Sequence, residues 1–286
     1  MTGRLPAGAG LGWRPETALL ASRRALPFVE VIAESVPVRG PLPAPLRELV
    51  EAGVPVVPHG VSLSLGSGSA PDPVRLERLA LVAERLRAPL VSEHVAFVRG
   101  AGLETEHLLP VPHTQAALDI VVENVQRARD ALPVPLALEN IASLFRWPED
   151  ELTPGAFLGQ LLPRSGAALL LDVANLHADA VNFGLDVHAT LDALPLERLA
   201  YAHIAGSQRR DGFLHDTHAH PVSPGALEVL AAVRARTGPL PVLLERDDRF
   251  GTQAALQAEL DLVEQVATEP MGDEAATTGE EDRHVA

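Results

Sequence analysis

The sequence contains no cysteine and no lysine. The first absence excludes disulfides, thiolate metal sites, iron–sulfur clusters and a cysteine nucleophile, so any metal must sit on nitrogen and oxygen ligands. The second leaves arginine and histidine as the only basic side chains in a chain of formal charge -15. Duplex nucleic acid is bound through many basic contacts to phosphate, so this balance speaks against nucleic acid and towards small molecules or peptides. Aromatic residues are also scarce, at 3%. No apolar run approaches the ~20 residues that a membrane span needs, and MTGRLPAGAGLGWRPE at the start lacks the apolar core of a secretory signal. The expectation is a soluble, cytoplasmic protein with no membrane partner.

What the chain does have is a repeated alternation. Short apolar runs, each ending in polar or charged residues, are followed by stretches with helical spacing. The runs are GAGLGW (8–13), PFVEVIAE (27–34), VPVVPHG (54–60), PLVSEHV (89–95), PLALEN (135–140), ALLLDVAN (168–175), LAYAHIAG (199–206) and PVLLERD (241–247). Helices are predicted near 15–25, 43–52, 73–87, 114–131, 155–163, 187–194, 224–237 and 252–268. Strands that are apolar at nearly every position belong to a parallel sheet covered on both faces, and eight such units close a (β/α)8 TIM barrel. One barrel domain over 1–268 is expected, and the acidic stretch EPMGDEAATTGEEDRHVA (269–286) reads as a disordered tail.

Active sites of such barrels are built where strands end and loops begin. Here those positions carry ligand chemistry: His59, Glu93 and His94, Glu139 and Asn140, Asp172 with Asn175, His203, and Glu245. The loop after the seventh strand adds Asp216 and His218. A single Asp or His at a strand end is more often a helix cap or a surface group. Recurrence at six successive strand ends calls for a different cause. Carboxylates and imidazoles crowded into one cavity without lysine need a counter-charge, and metal cations supply it. Such ligands suit iron, zinc or manganese and do not choose among them.

The motifs GLGWRPE, FVEVIAES, PHGVSLSLGS, SEHVAF, LLPVPHTQAALD, LENIAS, LLLDVANLHADAVNFG, AHIAGS, DTHAHPV and LLERD run from about Gly8 to Phe250. This series resembles the multinuclear non-haem iron-dependent oxidative enzymes typified by the methanobactin-biosynthesis oxidase. The resemblance implies a barrel binding two or three iron ions, with dioxygen used to modify cysteine residues of a ribosomally synthesised precursor peptide beside a leader-binding partner protein. It places His59, His94, Glu139, Asp172, Asn175, His203, Asp216, His218 and Glu245 on the metal-binding motifs, with Glu139 and one aspartate as natural bridges. The ligand order is also similar to endonuclease-IV-like and xylose-isomerase-like barrels, where the zinc nuclease pattern has histidine at the position of Asn175. A zinc-dependent hydrolase or phosphodiesterase, or a non-catalytic metal-binding scaffold, is the alternative. Three departures from the family pattern stand out: Ala174, Phe183 in place of a histidine, and His113 in place of a tyrosine.

Other residues have weaker claims. His177 lies two positions past Asn175 and is within reach of a cluster, or packs over the mouth. Arg14 can bind a substrate carboxylate or pair with Glu30 or Glu34, and with Glu93 and Asn140 these form a supporting or substrate-facing set. His107, His188, His215 and His220 fit loop or helix surfaces, and His284 falls in the tail. The glycines of SLSLGSGS (62–69) read as a turn rather than a phosphate cradle, since no P-loop lysine follows.

Overall fold

The computed structural model describes residues 4–100 and 103–269, apart from the side chain of Glu106. The predicted tail beyond Glu269, with His284, lies outside the described residues. In chain order the elements are β1 (Gly8–Gly12), α1 (Ala18–Arg23), β2 (Val29–Ile32), α2 (Ala44–Glu51), β3 (Val56–Gly60), α3 (Pro73–Leu86), β4 (Val91–His94), β5 (Ala96–Gly100) and β6 (Leu103–Pro110). There follow α4 (Gln115–Ala131), β7 (Leu136–Glu139), α5 (Pro154–Ser165), β8 (Ala168–Asp172), α6 (Val173–Phe183) and α7 (Val187–Ala193). The chain continues through β9 (Leu199–Ala205), β10 (Ser207–Arg210), β11 (Phe213–Asp216), α8 (Pro224–Thr237), β12 (Pro241–Glu245) and α9 (Gln253–Thr268). Strands β1, β2, β3, β4, β7, β8, β9 and β12 close a parallel barrel, with β12 bonded back to β1, which is the expected (β/α)8 fold. No helix among the described residues is long and apolar enough to cross a membrane.

Local chemistry sets where the helices begin. Asp72, Thr114, Thr153, Asp172, Asp186, Ser223 and Thr252 each accept a first-turn backbone N–H with a side-chain oxygen. Proline follows directly at Pro73, Pro154 and Pro224, where its missing N–H costs nothing.

The period-two alternation of the strands sorts residues between two cores. Val29, Val31, Val56, Val91, Leu136, Leu138, Leu169, Leu171, Ala202, Ile204, Val242 and Leu244 pack with the helices. The other parity fills the barrel: Phe28, Val57, Leu90, Ala137, Leu170, Tyr201 and Leu243 form a separate buried cluster with Leu5. Two residues further along the same strands stand Glu30, His59, Ser92, Glu139, Asp172, His203 and Glu245, all buried. A polar layer therefore rests on an apolar one. Gly10 shares this interior, where a Cβ would lie 2.8 Å from the ring of Phe28, so that ring occupies the space a side chain would take.

Three features depart from the sequence reading. The sixth barrel strand does not run to residue 175; it stops at Asp172, and α6 begins at once, placing Asn175 on a helix. Val173, Ala174, Leu176 and Ala178 are all buried, and a short, largely apolar run does not reveal whether it is strand or helix. Two antiparallel hairpins also stand on the barrel rim, β5 with β6 and β10 with β11, after the fourth and seventh barrel strands. Their sequences mix charged and apolar residues without clean alternation, which hides them among loops.

Candidate metal centre

The structure brings all nine residues singled out for metal binding to one end of the barrel. Among the described residues, three groups of donors lie close enough to hold an ion: His59, His94 and Glu139; then Glu139, Asp172, His203 and Glu245; then Asp172, Asp216 and His218. Within each group the donor atoms lie within 4.8 Å of one another. Glu139 belongs to the first two and Asp172 to the last two, so the groups adjoin in a row. The first two are buried, while Asp216 and His218 are partly exposed.

Each imidazole turns one nitrogen to these carboxylates and has the other occupied. His59 Nε2 lies 3.4 Å and His94 Nε2 3.3 Å from Glu139 Oε2. His203 Nδ1 lies 3.2 Å from Glu139 Oε1 and 3.1 Å from Glu245 Oε2. His218 Nε2 sits 2.7 Å from Asp216 Oδ2. On their far sides His203 meets Glu30 at 2.9 Å, His218 meets Asp247 at 2.9 Å, His94 meets Glu93 at 3.4 Å, and His59 meets Ser92 Oγ at 2.8 Å. Such outer partners fix ring orientation and tautomer around a metal. Behind His59 a chain of bonds continues: Tyr201 Oη lies 2.7 Å from Ser92 Oγ and donates to Glu30 Oε2 at 2.5 Å. With that proton committed to Glu30, Ser92 donates to Tyr201 and His59 Nδ1 donates to Ser92. The lone pair of His59 is then left on Nε2, facing Glu139.

Asp172 serves as helix cap and cluster member together. One oxygen accepts the N–H of Asn175 at 2.7 Å, while Oδ2 is buried with no partner. Glu139 Oε2, Asn175 Oδ1, Asp216 Oδ1 and Glu245 Oε2 are likewise buried and accept no hydrogen bond, although imidazole nitrogens lie beside the two glutamate oxygens. Unpaired buried acceptors are costly, and here they converge on one place. Burial, with repulsion from Asp216, Glu139 and Glu245, pushes the Asp172 carboxyl well above its ordinary range. Burial opposes charge on His203 too, yet Glu245, Glu30 and Glu139 hold its pKa well above the usual value. His94 behaves similarly: burial lowers its pKa, but Glu139 and Glu93 outweigh that and carry it to about 9. In a metal-free barrel, protons supply the counter-charge that metal cations would supply. The orphaned oxygens and the nitrogen and oxygen donor set fit metal ions of the iron, zinc or manganese kind.

The supporting residues divide. Asn140 exchanges hydrogen bonds with the backbone of Asp172 at 2.9 and 3.0 Å and accepts from Asn175 Nδ2 on its own carbonyl, so it aims β8 rather than facing a substrate. Glu93 accepts the N–H groups of Ser62, Leu63 and His94, and Glu34 accepts from Val61 N and Ser62 Oγ. Both therefore hold the loop after β3. Arg14 pairs with neither Glu30 nor Glu34; it binds Asp247 at 2.6 Å and so braces the partner of His218. His177 belongs to none of the three groups. Its ring packs on the start of α8, where a Cβ on Gly225 would come within 2.2 Å of it. His113 lies against Phe157, with ring centroids 4.7 Å apart, and Phe183 lies under the Arg146 guanidinium at 4.8 Å. The glycine-bearing stretch after β3 is a turn, held by Asn124 Nδ2 donating to the carbonyls of Leu65, Ser67 and Ser69.

Sequence reasoning missed Ser92, Tyr201 and Asp247. The period of two was the available signal for the first two, since Ser92 precedes His94 and Tyr201 precedes His203 by one inward step. His107 and His215, expected on surfaces, both line the cavity above the metal groups.

Fold and site together define a (β/α)8 barrel whose mouth can hold metal ions. Residues 8–268 match the family described as RiPP precursor modification enzyme MbnB/TglH/ChrH, and the chain belongs to that family. It is 52% identical over 261 residues to a UPF0276 protein of Streptomyces avermitilis, covering 88% of this chain and 53% of that one. The chain thus spans about half the length of that relative. A UPF0276 protein of Caulobacter vibrioides is 38% identical over 258 residues, covering 89% of this chain and 92% of the relative. Among solved structures, D-psicose 3-epimerase from Clostridium cellulolyticum aligns with a TM-score of 0.60 at 12% identity, covering 91% of this chain and 99% of its own. A D-allulose 3-epimerase from Methylomonas aligns at 0.56 and 15% identity, with 92% of both chains covered. These last two establish likeness of fold alone.

Proposed function

We propose that this protein is a multinuclear non-haem iron enzyme that uses dioxygen to modify cysteine residues of a ribosomally synthesised precursor peptide. The carrying observation is the row of three adjoining donor groups that share Glu139 and Asp172, within a chain of a peptide-modifying family. His59, His94 and Glu139 would hold one ion, Glu139, Asp172, His203 and Glu245 a second, and Asp172, Asp216 and His218 a third, with Asn175 Oδ1 beside them. Iron, if bound there, would supply redox chemistry towards dioxygen and a thiol. The chain's own residues do the rest. Glu30, Ser92, Glu93 and Asp247 keep the imidazoles oriented, and Asn140 keeps Asp172 aimed. Leu108, Leu109, Leu144 and Phe145, which line the cavity at the mouth, would limit water around the reacting sulfur. A protein without cysteine offers no thiol of its own to compete with the substrate's.

The test is elemental analysis of anaerobically purified protein, followed by oxygen uptake with a cysteine-bearing peptide. Bound iron with uptake that requires the peptide thiol is the expected result. Zinc together with cleavage of abasic DNA would replace this reading by a phosphodiesterase.

A further inference from the structure

Above the metal groups lies a cavity of about 320 Å³, at the small end of ligand pockets, which run ~300–1,000 Å³. That is room for a cysteine and one neighbouring side chain, not for a folded peptide. Part of its wall is apolar: Leu108 and Leu109 from β6, with Ile141, Leu144 and Phe145 from the loop after β7. Leu144 and Phe145 remain 43% and 39% exposed, so large apolar surface faces the opening without a partner. The polar part of the wall is the floor of the site, where Glu139, Asp216, Glu245 and Asp247 alternate with histidines, and none of the described lining residues is an arginine.

The apolar wall is also rigid. Asp179 accepts Ser143 N–H at 2.9 Å and the Arg146 guanidinium at 2.9 Å, and Trp147 Nε1 donates to Pro110 O at 2.8 Å, tying the loop to β6. The hairpin is fastened in turn, since Ser64 Oγ accepts from Val98 and Arg99, and Arg99 donates to the carbonyls of Ser62 and Leu63. Gly66 makes this closeness possible: a Cβ there would lie 2.3 Å from Val111 and 2.9 Å from Ala96. A wall held this way selects its occupant instead of adapting to it.

Resting on the peptide-modifying reading above, we infer that Leu144 and Phe145, with Leu108 and Leu109, form a subsite for an apolar side chain next to the modified cysteine. An acidic neighbour is rejected. Its carboxylate would lose water against Leu108, Leu109, Leu144 and Phe145, where none of the described lining residues is an arginine that could pair with it. An apolar neighbour covers Leu144 and Phe145 and closes the mouth over the metal groups.

The test uses the metal-loaded full chain and short acetylated, amidated peptides. Each carries a central Cys, or Ser in its place, flanked on both sides by Leu or by Asp. Trp147 reports occupancy through its fluorescence, because its ring lies 5.2 Å from that of Phe145. Leucine flanks should bind roughly tenfold tighter than aspartate flanks in both the Cys and Ser series, the scale of discrimination that an apolar pocket supports. Phe145→Ala and Leu144→Ala should each shrink that gap at unchanged metal content. Equal binding of the Leu and Asp peptides to the wild type, or a gap untouched by both variants, would overturn the subsite. A leucine-flanked cysteine peptide that binds yet supports no oxygen uptake would instead count against the cysteine chemistry and leave the subsite standing.

Discussion

The two ends of the metal row are built differently. His59, His94, Glu139, His203 and Glu245 come from barrel strands, where the register His59↔Ser92, His94↔Glu139 and Leu243↔His203 holds the backbone on both sides. Asp216 ends a two-stranded hairpin, and His218 follows in a loop with a left-handed backbone, φ 48°. Its support is a salt-bridge chain, from Arg14 through Asp247 to His218, with Asp247 41% exposed. The strand end of the row is shaped by the fold, whereas the hairpin end depends on a few polar contacts that water can enter. Precision in this site comes from barrel register, and exchangeability comes from the rim.

The largest effect expected follows from removing what the two strand-held groups share. Glu139→Gln keeps volume but removes the charge common to the first two groups, so metal content should fall by more than one ion per chain and turnover should vanish, with the barrel still folded. Metal analysis beside circular dichroism checks this, and full occupancy would show that Glu139 bridges nothing.

His218→Ala sharpens the comparison from the other end. Only the rim ion should be lost, and brief chelation of the wild type should remove that same ion first, because loop-held ligands inherit loop mobility. Metal stoichiometry against chelation time should show two phases in the wild type and one in the variant. A single phase in the wild type would mean that rim and barrel sites are equally held.

A smaller effect is expected from Tyr201→Phe, which leaves the ring in the apolar layer and cuts the chain from His59 to Glu30. Loss of an outer partner typically lowers metal affinity ~10–100-fold, and the lower figure, about 1.4 kcal/mol, applies here because Ser92 stays in place. Competition with a calibrated chelator measures it. An unchanged affinity would show that Ser92 alone orients His59.

The last effect is on folding stability and not on metal content, and concerns His113, which packs against Phe157 outside the metal row. Burial, partly offset by Asp150, lowers the His113 pKa to about 4, and its Nδ1 has no partner. The folded state therefore holds His113 neutral while the unfolded chain takes up a proton near pH ~6.5. Stability from this residue is complete above that pH and is lost as pH falls from there towards 4. Between pH 7 and 4, metal-free wild type should lose roughly 1–3 kcal/mol more than His113→Phe. Parallel losses in the two proteins, followed by denaturation with a chelator present, would rule the contribution out.

Much of this architecture was legible without coordinates. Eight apolar runs separated by capped helices dictate a closed parallel barrel, and a polar residue at the end of nearly every run dictates a crowded, cation-demanding mouth. All nine proposed ligands follow from that pattern and from the family motifs. What the sequence does not encode locally is which groups share an ion. Glu139 touching two groups, Asp172 capping α6 with one oxygen while turning the other inward, and Arg14 bracing Asp247 instead of Glu30 or Glu34 depend on shear between strands far apart in the chain. Ser92 and Tyr201 share the inward parity of His94 and His203, but that parity does not name their partners, which closure sets at His59 and Glu30. The start of α6 at Val173 and the two rim hairpins likewise emerged only in three dimensions. An apolar run buried on every side has no periodicity to read, and a hairpin fastened by Ser64, Arg99 or Asn182 owes its place to partners elsewhere in the fold. Sequence determined the ligand types and the barrel that gathers them; tertiary closure decided the pairing, because distances between strand ends exist only once the sheet has met itself.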